Sequence, residues 1–154
     1  FYSFHFDNDV LRVHQIRNIG ALDGNPPASP NEWEKIRRKG NLAIQKWIDE
    51  TMKYKRCLVV LVGSETAKRP WVKYEIEKAW NGGKGILGIY IHDINCPKNG
   101  TCRKGPNPFD QIKLKDGLKL SSLVKCYEPN PRDAYRDISS KISGWIDDAI
   151  TRRK

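Results

Sequence analysis

The chain has 154 residues and a mass of 17.7 kDa, the size of one domain that can bury a proper core. Its 28 Lys and Arg against 18 Asp and Glu give a net charge of +10, which favours anionic partners: nucleic acid, an acidic membrane surface or a phosphorylated small molecule. No apolar run approaches the ~20 residues of a membrane span, and the opening FYSFHF lacks the basic and apolar regions of a secretory signal, so a soluble, cytoplasmic protein is expected.

FYSFH is aromatic and β-rich, and Asp7 or Asp9 can cap a helix that runs through VLRVHQIRNI to a stop at Gly20. Residues 21–40 read as loop, with Pro26, Pro27 and Pro30 close together where a regular strand and turn would otherwise stand. A second helix puts Ile44, Trp47, Ile48, Thr51 and Met52 on one face. It leads into CLVVLVG, a continuous apolar run of the kind a parallel strand buried on both faces requires. The loop GSETAKRP then delivers the chain to PWVKYEIEKAW, a helix with Pro70 at its first position and an apolar stripe of Val72, Ile76, Ala79 and Trp80. After Gly82, Gly83 and Gly85, ILGIYIH reads as another buried strand, followed by a polar loop through residues 93–110 and a shorter strand at LVKCY. The closing helix, from about Asp133, carries a stripe of Ile138, Ile142, Trp145, Ile146 and Ala149. Strands that are apolar throughout and alternate with helices predict an α/β, doubly wound, mostly parallel sheet of about five strands, helices on both faces, in one domain over 1–154.

In such sheets ligands bind outside the carboxyl ends of the strands. That selects the segments after FYSFH, CLVVLVG and ILGIYIH. Trp71 and Glu75 lie one turn apart beside the apolar stripe, at this edge. Pattern alone also fits a half-buried Trp and a solvated Glu, because most helix Glu residues are surface residues. No G-x-G-x-x-G, G-x-x-x-x-G-K-[ST] or G-x-S-x-G motif occurs, which removes the main support for dehydrogenase, P-loop and hydrolase readings. The basic clusters KIRRKG and RRK lack interleaved aromatics and read as solvated faces.

Cys57 and Cys126 fall in strand-like runs as core thiols. Cys96 and Cys102 flank a loop at a spacing that could close a small disulfide or offer two metal ligands. With no second Cys pair or His pair at zinc-site spacing, reduced thiols and no metal are expected. His5, His14 and His92 are scattered and read as ordinary packed or surface residues.

The opening FYSFHFDND, the buried CLVVLVG, the loop SETAKRPW and above all W-V-K-Y-E, a W-x-x-x-E spacing at Trp71 and Glu75, together resemble a TIR domain. More narrowly, they resemble the TIR-like proteins of bacterial Thoeris antiphage systems, over almost the full chain. The resemblance implies a flavodoxin-like, TIR-like fold, with Glu75 as the catalytic residue. It implies NAD+ as substrate, cleaved between nicotinamide and ribose, with no further cofactor. Trp71 would offer a face for stacking a base or nicotinamide ring. Phe6, Asp7 and Ser3 would contact substrate at the end of the first strand, whereas Phe4 reads as a packed core aromatic. The product would be ADP-ribose or a cyclic isomer, a nucleotide signal to a separate effector, with a phage-derived trigger and self-association among the implied partners. Residues 21–40, rich in Pro and Asn, depart from typical TIR domains. Readings from other classes are a non-enzymatic TIR adaptor, against which the intact Trp71 and Glu75 weigh, and a basic nucleic-acid-binding domain, which the +10 charge permits. Exchanging Glu75 for Gln is expected to abolish NAD+ conversion with stability barely moved.

Overall fold

The computed structural model describes residues 1–17, 30–96 and 100–153, and only the backbone of helical residues 6–8, 10, 17 and 30–33. The two long apolar runs form the centre of the sheet. Strands β2 (Cys57–Val62) and β3 (Gly85–Tyr90) pair in parallel from Cys57 with Gly85 to Val62 with Tyr90, and every residue in both is buried. A strand with no solvated face needs no polar alternation, hence the unbroken Val, Leu and Ile. Strand β1 (Tyr2–Ser3) pairs with β2, and β4 (Cys126–Tyr127) with β3. The described residues thus make a four-stranded, all-parallel sheet of order β1-β2-β3-β4. In the flavodoxin order 2-1-3-4-5, the second strand stands outside the first. Residues 18–29 lie outside the described residues.

Helix α1 (Phe6–Arg17) starts earlier than its capping signals suggest: Asp9 N donates to His5 O at 2.9 Å, so Asp7 and Asp9 sit inside the first turns. Helix α2 (Pro30–Arg38) occupies a stretch whose prolines read as loop. Its first residue is a proline, whose fixed φ suits the first helical position and whose missing N–H costs nothing there. Helices α3 (Asn41–Met52), α4 (Pro70–Asn81) and α5 (Ala134–Arg152) follow their apolar stripes, and the Asp133 carboxylate caps α5 by accepting from Arg136 N at 3.2 Å.

The helices cover both faces of the sheet. On one face, Val13 and Ile16 of α1 and Ile138 and Ile142 of α5 pack against Val59, Leu61, Leu87 and Ile89. On the other, Ile44, Ile48 and Met52 of α3 and Val72, Ile76 and Ala79 of α4 pack against Leu58, Val60, Val62 and Ile86. Among its described residues, the β3 to β4 crossover on this second face contains no α-helix. Two short 3-10 turns, Pro108–Gln111 and Leu120–Ser122, put Phe109 and Leu120 fully inside, with Ile112 and Val124 buried beside them. Among the described residues, no helix is long and apolar enough to cross a membrane.

Candidate active site

Alternation along the short first strand sends Tyr2 and the following Phe4 toward the α1 and α5 layer, and the fully buried Ser3 toward the α4 layer. Helix α4 is aimed by the loop before it. Buried Thr66 accepts from Gly63 N at 2.7 Å through its hydroxyl, which holds the turn leaving β2, and Pro70 starts the helix. The buried arc of α4 consists of Val72, Glu75, Ile76 and Ala79, while Trp80 is only half-buried. Hydrophobicity had centred the stripe too far from Glu75. The carboxylate is part of the buried face, not a solvated flank, and Glu75 is 8% exposed.

Ser3 and Glu75 meet at the carboxyl end of β1. The Ser3 hydroxyl is near enough to favour the ionised carboxyl, yet no hydrogen bond of sound geometry joins them: Ser3 Oγ and Glu75 Oε2 are both buried without a partner among the described residues. Burial dominates the electrostatics. Loss of water pushes the Glu75 pKa up to about 8, and the Ser3 hydroxyl offsets only part of that rise. Trp71 is half-buried on the flank and its ring stands edge-on to Tyr74, with centroids 5.5 Å apart at 83°. Tyr74 is in turn fixed by donating to Asp49 Oδ1 at 2.6 Å. Phe6 and Asp7 fall in the first turn of α1, three and four residues after Ser3, and their side chains lie outside the described residues.

A second buried carboxylate sits at the same edge of the sheet. Asp9 and Arg12, both almost inaccessible, are paired at 3.1 Å, and Arg12 also donates to Ile94 O at 3.1 Å and Gly100 O at 2.8 Å. The pair therefore ties the segment after β3 to α1. A Cβ on Gly63 would collide with the Asp9 carboxylate, and one on Gly105 with the Gly63 carbonyl. The carboxyl end of β2 is thus closed by packing. Sequence reading missed this pair, although the spacing of Asp9, Arg12, Val13 and Ile16 is that of one helix face, where two opposite charges signal a buried ion pair. His92, at the end of β3, is buried with Nε2 3.2 Å from Asp93 Oδ2 and 3.8 Å from Glu128 Oε1. None of the four cysteines forms a disulfide, and no group of three or more His, Cys, Asp or Glu residues is arranged to hold a metal among the described residues.

Three cavities, of about 250, 330 and 600 Å³, open elsewhere on the surface, and neither Glu75 nor Ser3 lines any of them. A carboxyl so covered reaches a ligand only after its cover shifts. Volume and chemistry therefore point to different places, and the chemistry is the better guide, because a buried carboxyl with a perturbed pKa is costly to keep without a use.

Residues 1–95 match the family model described as Thoeris protein ThsB, TIR-like domain. The chain is also 32% identical over 128 residues to the Bacillus cereus (strain MSX-D12) protein named "Putative cyclic ADP-D-ribose synthase ThsB1", an alignment that spans 78% of this chain and 67% of that protein. Both Ser3 and the W-x-x-x-E pair fall within the matched residues, and the chain belongs to the TIR-like family of Thoeris protein ThsB.

Proposed function

We propose that the protein is a TIR-type enzyme that cleaves NAD+ between nicotinamide and ribose, with Glu75 as the catalytic residue, and that it makes a cyclic ADP-ribose signal. The observation that carries the reading is the pair of buried, unpartnered polar atoms at the carboxyl end of β1, Glu75 Oε2 and Ser3 Oγ. Neither has a hydrogen-bond partner among the described residues, and the vicinal hydroxyls of a ribose would satisfy both. Glu75 takes the diol and faces the sugar as C1′ becomes electron-poor. Heterolysis sends the bonding pair to the pyridinium nitrogen, so nicotinamide leaves neutral and needs no general acid. The demand on the protein is electrostatic, and a carboxylate meets it.

The raised pKa sets a condition. At neutral pH the buried carboxyl of the free protein is mostly protonated, and a cationic substrate beside it favours the charged form, so binding is coupled to proton release. Water at C1′ then gives linear ADP-ribose, and a nucleophile within the same molecule gives the cyclic isomer. The printed name of the Bacillus cereus relative favours the cyclic product. The product acts on a separate effector, and NAD+ carries its own leaving group, so no further cofactor is required.

The test is mass spectrometry of nucleotides formed from NAD+ by wild type, Glu75→Gln and Glu77→Gln, in vitro and in phage-infected cells. Glu77 is an exposed residue of the same helix with a long 3.9 Å pair to Lys73, and its exchange should leave turnover unchanged. Loss of Glu75 should lower turnover on the order of a hundredfold or more. Equal turnover by wild type and Glu75→Gln would remove Glu75 from the chemistry, and no product from wild type, in vitro or in infected cells, would transfer the protein to the adaptor class.

A further inference from the structure

Glu75 lines none of the three cavities, and one of the two at the amino edge of the sheet has a charge pattern that the NAD+ reading does not use. It occupies about 250 Å³ between the starts of β3 and β4, the end of α4 and the end of α5. Its polar lining is Lys125, Arg152, Arg153 and Asp148, set against apolar walls that include Trp80 and Tyr127. Asp148 is committed to Arg152 at 2.9 Å, which leaves a net charge of two positive units from these four residues. Arg153 is held in place from two directions. Its guanidinium carbon lies 3.7 Å over the Trp80 ring, and Nη2 donates to Trp80 O at 2.7 Å. Its Nε is buried with no acceptor among the described residues.

We infer that this cavity is a binding site for a phosphate-bearing small molecule of about sugar-phosphate size. A fixed guanidinium with an unused donor is built to receive an oxyanion, and Arg recognises phosphate through its planar set of N–H groups. Lys125, exposed at the rim, adds a mobile point charge. A phosphate monoester carries roughly −1.5 to −2 charge at neutral pH, which matches the local excess better than a single carboxylate does. The volume admits a phosphate with a pentose and is too small for a dinucleotide, and the apolar walls suit the carbon skeleton of the ester. Trp80 stands five residues beyond Glu75 on the same helix, about 7.5 Å along its axis, so an occupant here would brace the end of the helix that carries Glu75.

The experiment is a ¹⁵N NMR titration of the full chain with ribose 5-phosphate, AMP and inorganic phosphate. The reporters are the Trp80 indole N–H, assigned through Trp80→Phe, and the Arg153 Nε–H. Saturable shifts of both are expected with ribose 5-phosphate and are retained in Glu75→Gln, and the affinity read at the Trp80 indole should weaken roughly tenfold in Lys125→Ala and in Arg153→Lys. Equal binding of inorganic phosphate would show that the phosphate group alone is read, and preference for the esters would show that the apolar walls contribute; either outcome upholds the site. Absence of saturable shifts at millimolar ligand, or the same shifts in Lys125→Ala as in wild type, overturns it. Lys125 is exposed, so its variant keeps the test valid even if Arg153→Lys fails to fold. The Glu75→Gln arm separates this site from the NAD+ reading, since either can fail alone.

Discussion

At the scale of the residue, Glu75 imposes a cost on the fold that can be measured. Its carboxyl has an ordinary pKa of 4.5 and is pushed to about 8 by burial in the folded protein. Between those values the folded state holds a proton that the unfolded state has lost, so stability falls as pH rises through this window, by at most about 1.4 kcal/mol per pH unit. Gln has nearly the same volume and no charge to desolvate. Glu75→Gln should therefore match wild type near pH 4.5 and be more stable by on the order of 2–4 kcal/mol at pH 8. Equal volume alone leads to the expectation that stability barely moves, and the burial of the Glu75 charge argues against it. Calorimetric melting temperatures of both proteins from pH 5 to 8 check it, and a pH-independent gap between them would refute the linkage. A gain in stability joined to a loss of turnover is what a residue retained for chemistry should show.

At the scale of the element, two glycines separate packing from propensity. Gly85 opens β3 where α5 crosses it, and a Cβ there would lie 2.7 to 2.8 Å from backbone atoms of Ala149 and Ile150. Backbone cannot yield locally, so Gly85→Ala should destabilise by about 1–3 kcal/mol. Gly144 sits in the exposed middle of α5 with nothing within 4 Å of the added carbon, and Gly144→Ala should stabilise by about 1 kcal/mol. Urea denaturation of the two variants should move in opposite directions. The same contrast explains what could be read from sequence. β2, β3, α3 and α5 were legible because their burial demands a continuous or periodic apolar pattern. β1 and β4 came out two residues long, since aromatic composition does not say how far an edge strand pairs. α2 was hidden behind its prolines, and the crossover through Phe109 and Leu120 was hidden because 3-10 turns bury side chains at no regular spacing. In the candidate site, the W-x-x-x-E pair was readable as a motif. The depth of Glu75 follows from tertiary packing that no local window contains, whereas the Asp9 to Arg12 pair does leave a local signal, two opposite charges on the apolar face of α1.

At the scale of the whole molecule, the family match and the folding unit have different extents. The match covers residues 1–95, which supply β1 to β3, α1 to α4 and the proposed catalytic pair. One face of those strands is nevertheless covered by α5, through Ile138 and Ile142, and the other in part by Phe109 and Leu120; all four side chains are fully buried. Burying a large apolar side chain stabilises by about 1.5–3 kcal/mol, so these four contribute roughly 6–12 kcal/mol, comparable to the whole net stability of about 5–15 kcal/mol typical of a domain. Gly85, packed against Ala149, would also lose the backbone for which its missing side chain makes room. A polypeptide of residues 1–95 should therefore show no cooperative thermal transition and should bind a hydrophobic dye, whereas the full chain melts in one step. A cooperative transition in the shorter chain would mean that residues 96–154 are an addition to a self-sufficient fold. Its absence would make α5 as necessary to the Glu75 site as the helix that carries it, because Ser3 keeps its position only while β1 lies on a sheet covered on both faces.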